Sequence, residues 1–483
     1  MSTSPVQSAD LMLILPELVL AGFAILIMVT DPFLRPSRRK WLGIVALVGT
    51  GAAAAATVLM AGQTGTAFGG MILGDAFSVY FRFLLLAIAA LTLLSSLGYV
   101  EREGFPPGEF YALILFGTVG MGLMVASAEL IVVFLGLEMS SISTYILAGY
   151  RRQDSLSNEA SLKYFLLGSF ATAFFLYGIA FVYGLTGTTN LTILADRLQT
   201  PLGATRLALV AMILMFVGLA FKVSCVPFQV WTPDVYEGAP TPVTAFLSAG
   251  PKAAAFAVFL RIALAVFEPT GETGFWILWI SAALTMTFGN FAALVQTNIK
   301  RLLAYSSIAH AGYILVGFAS GTPEGRAAVM FYLVAYSLMN LGAFAVVAHL
   351  AGKGDRWVRL EDFTGLSRER PALAACLAIF MLSLTGIPLT AGFFGKFYLF
   401  SAAVNSGLIG LTILGMLNSA VSVYYYLRVV VMMYMREGPR PAPTESIPWA
   451  LGAALALSVL GTLYLGILPG WFLSKTVAAI PLP

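Results

Sequence analysis

Five ionisable residues stand deep inside long apolar runs: Glu138 in FLGLEMSSIST, Lys222 in LAFKVSCVP, Lys252 in SAGPKAAAF, His310 in SSIAHAGY and Lys396 in GFFGKFYLF. Lys163, in SLKYFLLG, lies nearer the edge of such a run. Burial disfavours the charged form of a lysine, and a nearby carboxylate favours it again. Shifting a partner charge by a few ångström therefore switches a buried lysine between holding and releasing a proton. A row of such groups, wetted by water, can pass protons stepwise. Each charge moved costs about 2.3 kcal/mol per 100 mV of membrane potential. Other chemistries lack their residues. There is no GxxxxGK[ST] loop, and Lys396 in GFFGKF lacks that spacing. Two cysteines, Cys225 and Cys376, do not make an iron–sulfur site, and two histidines leave little room for haem. The expected cargo is a cation, in the first place a proton, with no cofactor held in this chain.

The positioning elements follow from composition. Of 483 residues, 59% are hydrophobic and 10% charged, with a mean hydropathy of +0.89. A soluble globule lacks the polar surface to cover so much apolar side chain, so a bilayer is the expected solvent. The net charge of +4 lies mainly in loops and gives no reason to expect nucleic acid. Apolar runs predict fourteen spans at 11–30, 41–62, 77–99, 109–126, 129–150, 161–185, 206–231, 241–266, 274–297, 301–319, 326–350, 371–402, 407–436 and 446–470. The leader MSTSPVQSAD has no basic residue, so the first span does not read as a cleaved signal peptide. Loops after odd-numbered spans hold 16 of the 27 basic residues, from Arg35 to Arg440, and the opposite side holds 4. The positive-inside rule then places the odd loops in the cytoplasm and both termini outside.

Glu138 lies about 14 and 18 Å from the two ends of its span, near the midplane. Lys222, Lys252, His310 and Lys396 fall at similar depth. Pro227 follows Lys222 by five residues, Gly250-Pro251 immediately precedes Lys252, and Gly386 with Pro388 interrupts the twelfth span just before Lys396. A proline inside a helix frees a carbonyl that must find protein or water. The twelfth span, if continuous, would measure about 48 Å against a core of about 30 Å, so it is expected to break. Broken helices beside midplane charges are how many transporters build ion sites. A repeat of the fourth to eighth spans as the ninth to thirteenth would match the seventh span to the twelfth. An odd-numbered repeat of this kind must be inverted. It divides the chain into 1–108, 109–273, 274–436 and 437–483. The expected fold class is an all-α polytopic membrane protein with 14 transmembrane helices, two inverted five-helix repeats and broken helices 7 and 12.

Plainer readings stand beside the chemical ones. Each lysine reads also as a counter-ion that fixes packing, and Lys163 as a side chain snorkelling to the cytoplasmic face. His310 reads also as a hydrogen-bonded core residue, and His349 as an interfacial one. Arg82, Arg261 and Arg428 do not readily deprotonate and read as structural pairs or water-lining groups. Asp234 and Glu237 read as caps or solvated charges, and both cysteines as small core residues.

The segments FLGLEMSSISTYIL, SLKYFLLGSF, LAFKVSCVPFQVWTPDVYEGAPTPVTAFLSAGPKAAAF, KRLLAYSSIAHAGYILVG and GIPLTAGFFGKFYLF resemble the antiporter-like membrane subunits of respiratory complex I. The resemblance covers roughly 11–470. It implies a bacterial inner-membrane proton channel driven by quinone reduction elsewhere, with NADH, FMN, iron–sulfur clusters and quinone held by other subunits. The implied partners are the antiporter-like M- and L-type subunits and the small K-type subunit. It also implies an ion pair between Glu138 and Lys222, a connecting role for Lys252, an axial role for His310, an exit-side role for Lys396 and a further role for Lys163. A subunit of a multisubunit Na⁺/H⁺ antiporter and a scaffold with a vestigial polar axis are the competing readings.

Overall fold

The computed structural model describes residues 8–263, 266, 271–437 and 446–480. Arg440, counted among the basic loop residues, lies outside the described residues, as do 264 and 265 near the end of the eighth predicted span. Thirteen helices are long and apolar enough to cross a membrane, and Pro371–Thr385 is a shorter apolar one. The first six crossings are α1 (Leu15–Thr30), α2 (Leu42–Met60), α3 (Ala76–Glu103), α4 (Pro107–Ala126), α5 (Leu130–Ala148) and α6 (Ser155–Thr186). The seventh is split into α7 (Arg206–Val223) and α8 (Trp231–Gly238). Then come α9 (Thr241–Ile262), α10 (Glu272–Leu294), α11 (Ile299–Ala319) and α12 (Pro323–Leu350). The twelfth crossing is α13 (Pro371–Thr385) plus α14 (Ala391–Asn405), followed by α15 (Ile409–Met435) and α16 (Trp449–Ile467). The expected fourteen crossings and both expected breaks are present. The chain also forms a hairpin, β1 (Gly65–Ala67) with β2 (Ile72–Gly74), that hydropathy did not suggest.

Two boundaries move for local reasons. The sixth helix starts at Ser155, two turns earlier than predicted, because the Asp154 side chain caps it by accepting from Leu156 N. The seventh helix stops at Val223, because Ser224 turns left-handed at φ 64° and Pro227 follows. The backbone freed there is satisfied by protein. Val226 N donates to Thr285 of α10 (3.0 Å), and Trp231 Nε1 donates to the Phe221 carbonyl (3.0 Å). In the twelfth crossing Gly386, at φ 93°, ends α13 and lets the amides of Gly386 and Ile387 return to the Leu382 carbonyl.

Helix α9 is buried over its whole length. It therefore has protein rather than lipid on all sides, which is where polar side chains at membrane depth are tolerated. Two structural features recur five crossings apart. Leu130 N bonds Thr189 O and Leu191 N bonds Ala128 O, tying the start of the fifth crossing to the segment after the sixth. Ile299 N bonds Val358 O and Leu360 N bonds Thr297 O, tying the start of the tenth to the segment after the eleventh. The α4–α5 and α10–α11 pairs also close on glycine. A Cβ at Gly120 would sit 2.6 Å from the Gly136 carbonyl, and one at Gly289 would sit 2.5 Å from Ala309 N. Because successive crossings alternate in direction, each feature occurs once at each end of the bundle.

Candidate functional site: a buried row of ionisable side chains

Lys222 projects from the last turn of α7 and is 5% exposed. Its ammonium donates to the Ser141 hydroxyl at 2.7 Å and lies 5.3 Å from the ring centres of both Tyr145 and Tyr164. The expected ion pair with Glu138 is not made. Ser141, one turn beyond Glu138 on α5, takes the ammonium instead. Glu138 is half-buried, and its Oε1 has no hydrogen-bond partner among the described residues. The pair thus spans one helical turn, with a hydroxyl beside the lysine.

From Lys222 an aromatic stack leads inward. Tyr164 stacks on Trp231 with centroids 4.5 Å apart, and Trp231 meets Tyr236 edge-on at 6.2 Å. Tyr236 stands 5.8 Å from the Lys252 ammonium. Lys252, from the middle of α9, donates to the Ser307 hydroxyl and approaches the Ser307 carbonyl at 3.4 Å. Tyr336 donates to the same hydroxyl at 2.8 Å, and Tyr236 stands 3.5 Å from it. One turn further along α11, both ring nitrogens of His310 meet tyrosine hydroxyls. Nδ1 is 2.5 Å from Tyr332 of α12, and Nε2 is 3.0 Å from Tyr426 of α15. Tyr426 also bonds Ser306. Lys396 of α14 donates to the freed Thr385 carbonyl (2.8 Å) and to Ser419 (2.9 Å), and lies 4.9 Å from the Tyr313 ring centre. It borders a cavity of about 570 Å³ lined by Phe393, Phe397, Met416 and Ser419. Five of the six expected residues therefore form one row.

Lys163 does not join that row. Its side chain is 40% exposed and pairs with Glu159 and Asp234, each at 2.6 Å. Asp234 and Glu237, expected as caps or solvated charges, are instead bound together by Arg301 at 2.9 and 2.7 Å. The reason is the break in the seventh crossing, which turns α8 so that its acidic residues face α6 and α11.

Loop cations need not be exposed: Arg151 and Lys300, two of the 16 counted in the odd-numbered loops, are both buried around Asp355 at 3.0 and 3.2 Å. Asp355 also accepts from Tyr99 (3.1 Å) and from Thr241 N (3.1 Å) and Oγ1 (2.7 Å). Its burial favours protonation, but Lys300, Arg151 and Thr241 together hold the carboxyl below its ordinary range. Inside the crossings, Arg82 pairs with Glu17 (2.7 Å) and Arg261 with Asp75 (2.9 Å), as expected of arginines in structural roles. Among the described residues no three His, Cys, Asp or Glu side chains gather as a metal site.

The hydroxyl partners Ser141, Ser307, Tyr332, Tyr336, Tyr426 and Ser419 were missed. Their only sequence signal is a hydroxyl residue about one helical turn from an ionisable one, as in Glu138 with Ser141 and Ser307 with His310. That pattern is too common in helices to single them out.

A fourteen-crossing bundle with two interrupted helices and a buried row of lysines defines a class of ion-translocating membrane proteins. The chain belongs to the family described as NADH:quinone oxidoreductase/Mrp antiporter, transmembrane, whose signature matches residues 127–422. It is 52% identical over 466 residues to NADH-quinone oxidoreductase subunit N 1 of Solibacter usitatus, covering 96% of each chain. To the subunit N of Trichlorobacter lovleyi it is 48% identical, covering 99% of this chain and 98% of that one. Among solved structures it resembles a chain of respiratory complex I from Thermus thermophilus, with a TM-score of 0.82, 39% identity, and 96% and 99% of the two chains covered.

Proposed function

We propose that this chain is a subunit N of a bacterial NADH–quinone oxidoreductase, translocating protons in the membrane arm through Glu138, Lys222, Lys252, His310 and Lys396. One observation carries the reading. Arg82 and Arg261, which hold their charge permanently, are each buried against a carboxylate. Lys252 and Lys396 are equally buried, yet hydroxyls and carbonyls are their only hydrogen-bond partners among the described residues. A buried ammonium without a counter-ion is costly, and a side chain able to release its proton relieves that cost. The lysines that lack a carboxylate are the ones placed along the row.

Protons enter from the basic, cytoplasmic end, where Lys163 and Asp234 stand at the mouth of the broken seventh crossing. They pass from Lys222 to Lys252 and His310, and leave beside Lys396 through the cavity at the second break. The two halves act as inverted five-helix repeats, 109–273 and 274–436, and the recurring ties at 128–130 and 297–299 support that division. Both termini lie on the periplasmic side. Energy comes from quinone reduction in other subunits, which hold NADH, FMN, iron–sulfur clusters and quinone. Its neighbours are the antiporter-like M- and L-type subunits and the small K-type subunit. The family's description also covers Mrp antiporters, so a Na⁺/H⁺ antiporter subunit is the second reading.

The test is Lys252→Ala and Lys222→Ala, assayed as NADH-driven proton uptake in inverted vesicles. A strong loss with assembly intact is expected. Unchanged uptake in an assembled complex would leave only the scaffold reading, and sodium-dependent uptake without NADH would favour the antiporter.

A further inference from the structure

His310 is held by four helices, and one of them touches it only through an intermediary. Helices α11, α12 and α15 supply His310, Tyr332 and Tyr426 directly. Helix α14, which carries Lys396, reaches the histidine through Gly395. A Cβ at Gly395 would sit 2.5 Å from Cδ2 and 3.1 Å from Cε2 of the Tyr332 ring, closer than van der Waals contact permits. Those are ring atoms near the Tyr332 backbone, not the end of a flexible chain. Tyr332 is fully buried, so the ring has no open space into which to retreat. Its hydroxyl has His310 Nδ1 as its only hydrogen-bond partner among the described residues.

We propose that Gly395 is a positioning residue for the His310–Tyr332 pair. The missing side chain lets the Cδ2–Cε2 edge of the Tyr332 ring pack against α14 with its hydroxyl on Nδ1. This seating ties the orientation of the imidazole to the helix that bears Lys396. Tyr332 fixes which way Nδ1 points, and Tyr426 with Ser306 fixes Nε2. A proton on the ring is thereby presented toward Tyr332 on one side and Tyr426 on the other. The inference rests on the proton-translocating reading and adds a residue that has no titratable group of its own.

The test is a double-mutant cycle in the intact complex, read as NADH-driven proton uptake in inverted vesicles with assembly checked on native gels. Tyr332→Phe removes the hydroxyl, and a fall of about two- to tenfold is expected for one lost hydrogen bond. Gly395→Ala is expected to lower uptake to a similar degree by displacing the ring. Combined, the two changes should cost no more than the larger one alone. If Gly395→Ala alone prevents assembly, adding Tyr332→Leu, which removes the obstructing ring, should restore it. Wild-type uptake in Gly395→Ala, losses that multiply in the double variant, or no rescue of assembly by Tyr332→Leu would each overturn the proposal. Unchanged uptake in Lys252→Ala would instead sink the translocation reading, so the two failures are distinguishable.

Discussion

The hydrogen bond from Lys222 to Ser141 shows how little separates a counter-ion from a switch. At 2.7 Å the hydroxyl holds the ammonium without neutralising it, while Glu138 lies one turn back on the same helix. On the proposed translocating reading, a neutral partner lets the ammonium give up its proton at a smaller cost than breaking a buried ion pair. Ser141→Ala should therefore slow proton uptake by about two- to tenfold, the scale of one hydrogen bond. Ser141→Thr, which keeps the hydroxyl, should retain most of the rate. An alanine variant as fast as wild type would show that the hydroxyl does not serve Lys222. The two buried arginines make the contrast, since each already has a carboxylate and stays in place.

At the scale of elements, the broken helices and the glycine-closed pairs do different work. The breaks expose carbonyls, and Lys396 uses one, that of Thr385. The closed pairs bring α10 against α11, so that His310 is carried on a helix packed tightly along one face. Gly289→Ala would press a methyl into the Ala309 backbone, which has little freedom to yield. Overpacking of this kind costs about 1–3 kcal/mol. The expected outcome is a lower unfolding temperature of the detergent-solubilised complex, with the second half of the chain cleaved first in limited proteolysis. An unchanged melting profile would mean that the pair separates without cost.

Across the whole molecule, Asp355 joins segments that are far apart in the chain. It draws in Tyr99 at the end of α3, Arg151 after α5, Thr241 at the start of α9 and Lys300 at the start of α11. Asp355→Asn leaves the buried Lys300 without its carboxylate and Arg151 with Glu103 alone, at 3.5 Å, and breaking a buried pair typically costs about 3–5 kcal/mol. The sign of the pH dependence follows from the lowered carboxyl. Its stabilisation is complete above the ordinary carboxylate value of about 3.9 and is lost as pH falls through the lower folded-state value. Melting temperatures of wild type and Asp355→Asn should differ by a constant amount from about pH 8 to pH 5, the gap closing only in stronger acid. A gap that closes near neutrality would assign the effect to another group.

Sequence alone determined the bundle, because apolar run length and the 16-to-4 split of loop cations both follow from the bilayer as solvent. It also marked Glu138, Lys222, Lys252, His310 and Lys396, since an ionisable group at membrane depth is rare whatever surrounds it. Both helix breaks were legible in proline and glycine. What only the tertiary structure decided is who touches whom. Ser141 rather than Glu138 meets Lys222, two tyrosines clamp His310, and the loop cations Arg151 and Lys300 are buried on Asp355. These pairings join residues tens to hundreds of positions apart, set by the rotation and depth of each helix against its neighbours. A one-dimensional pattern of apolar and polar residues records the period of a helix, but not which partner its polar face will find.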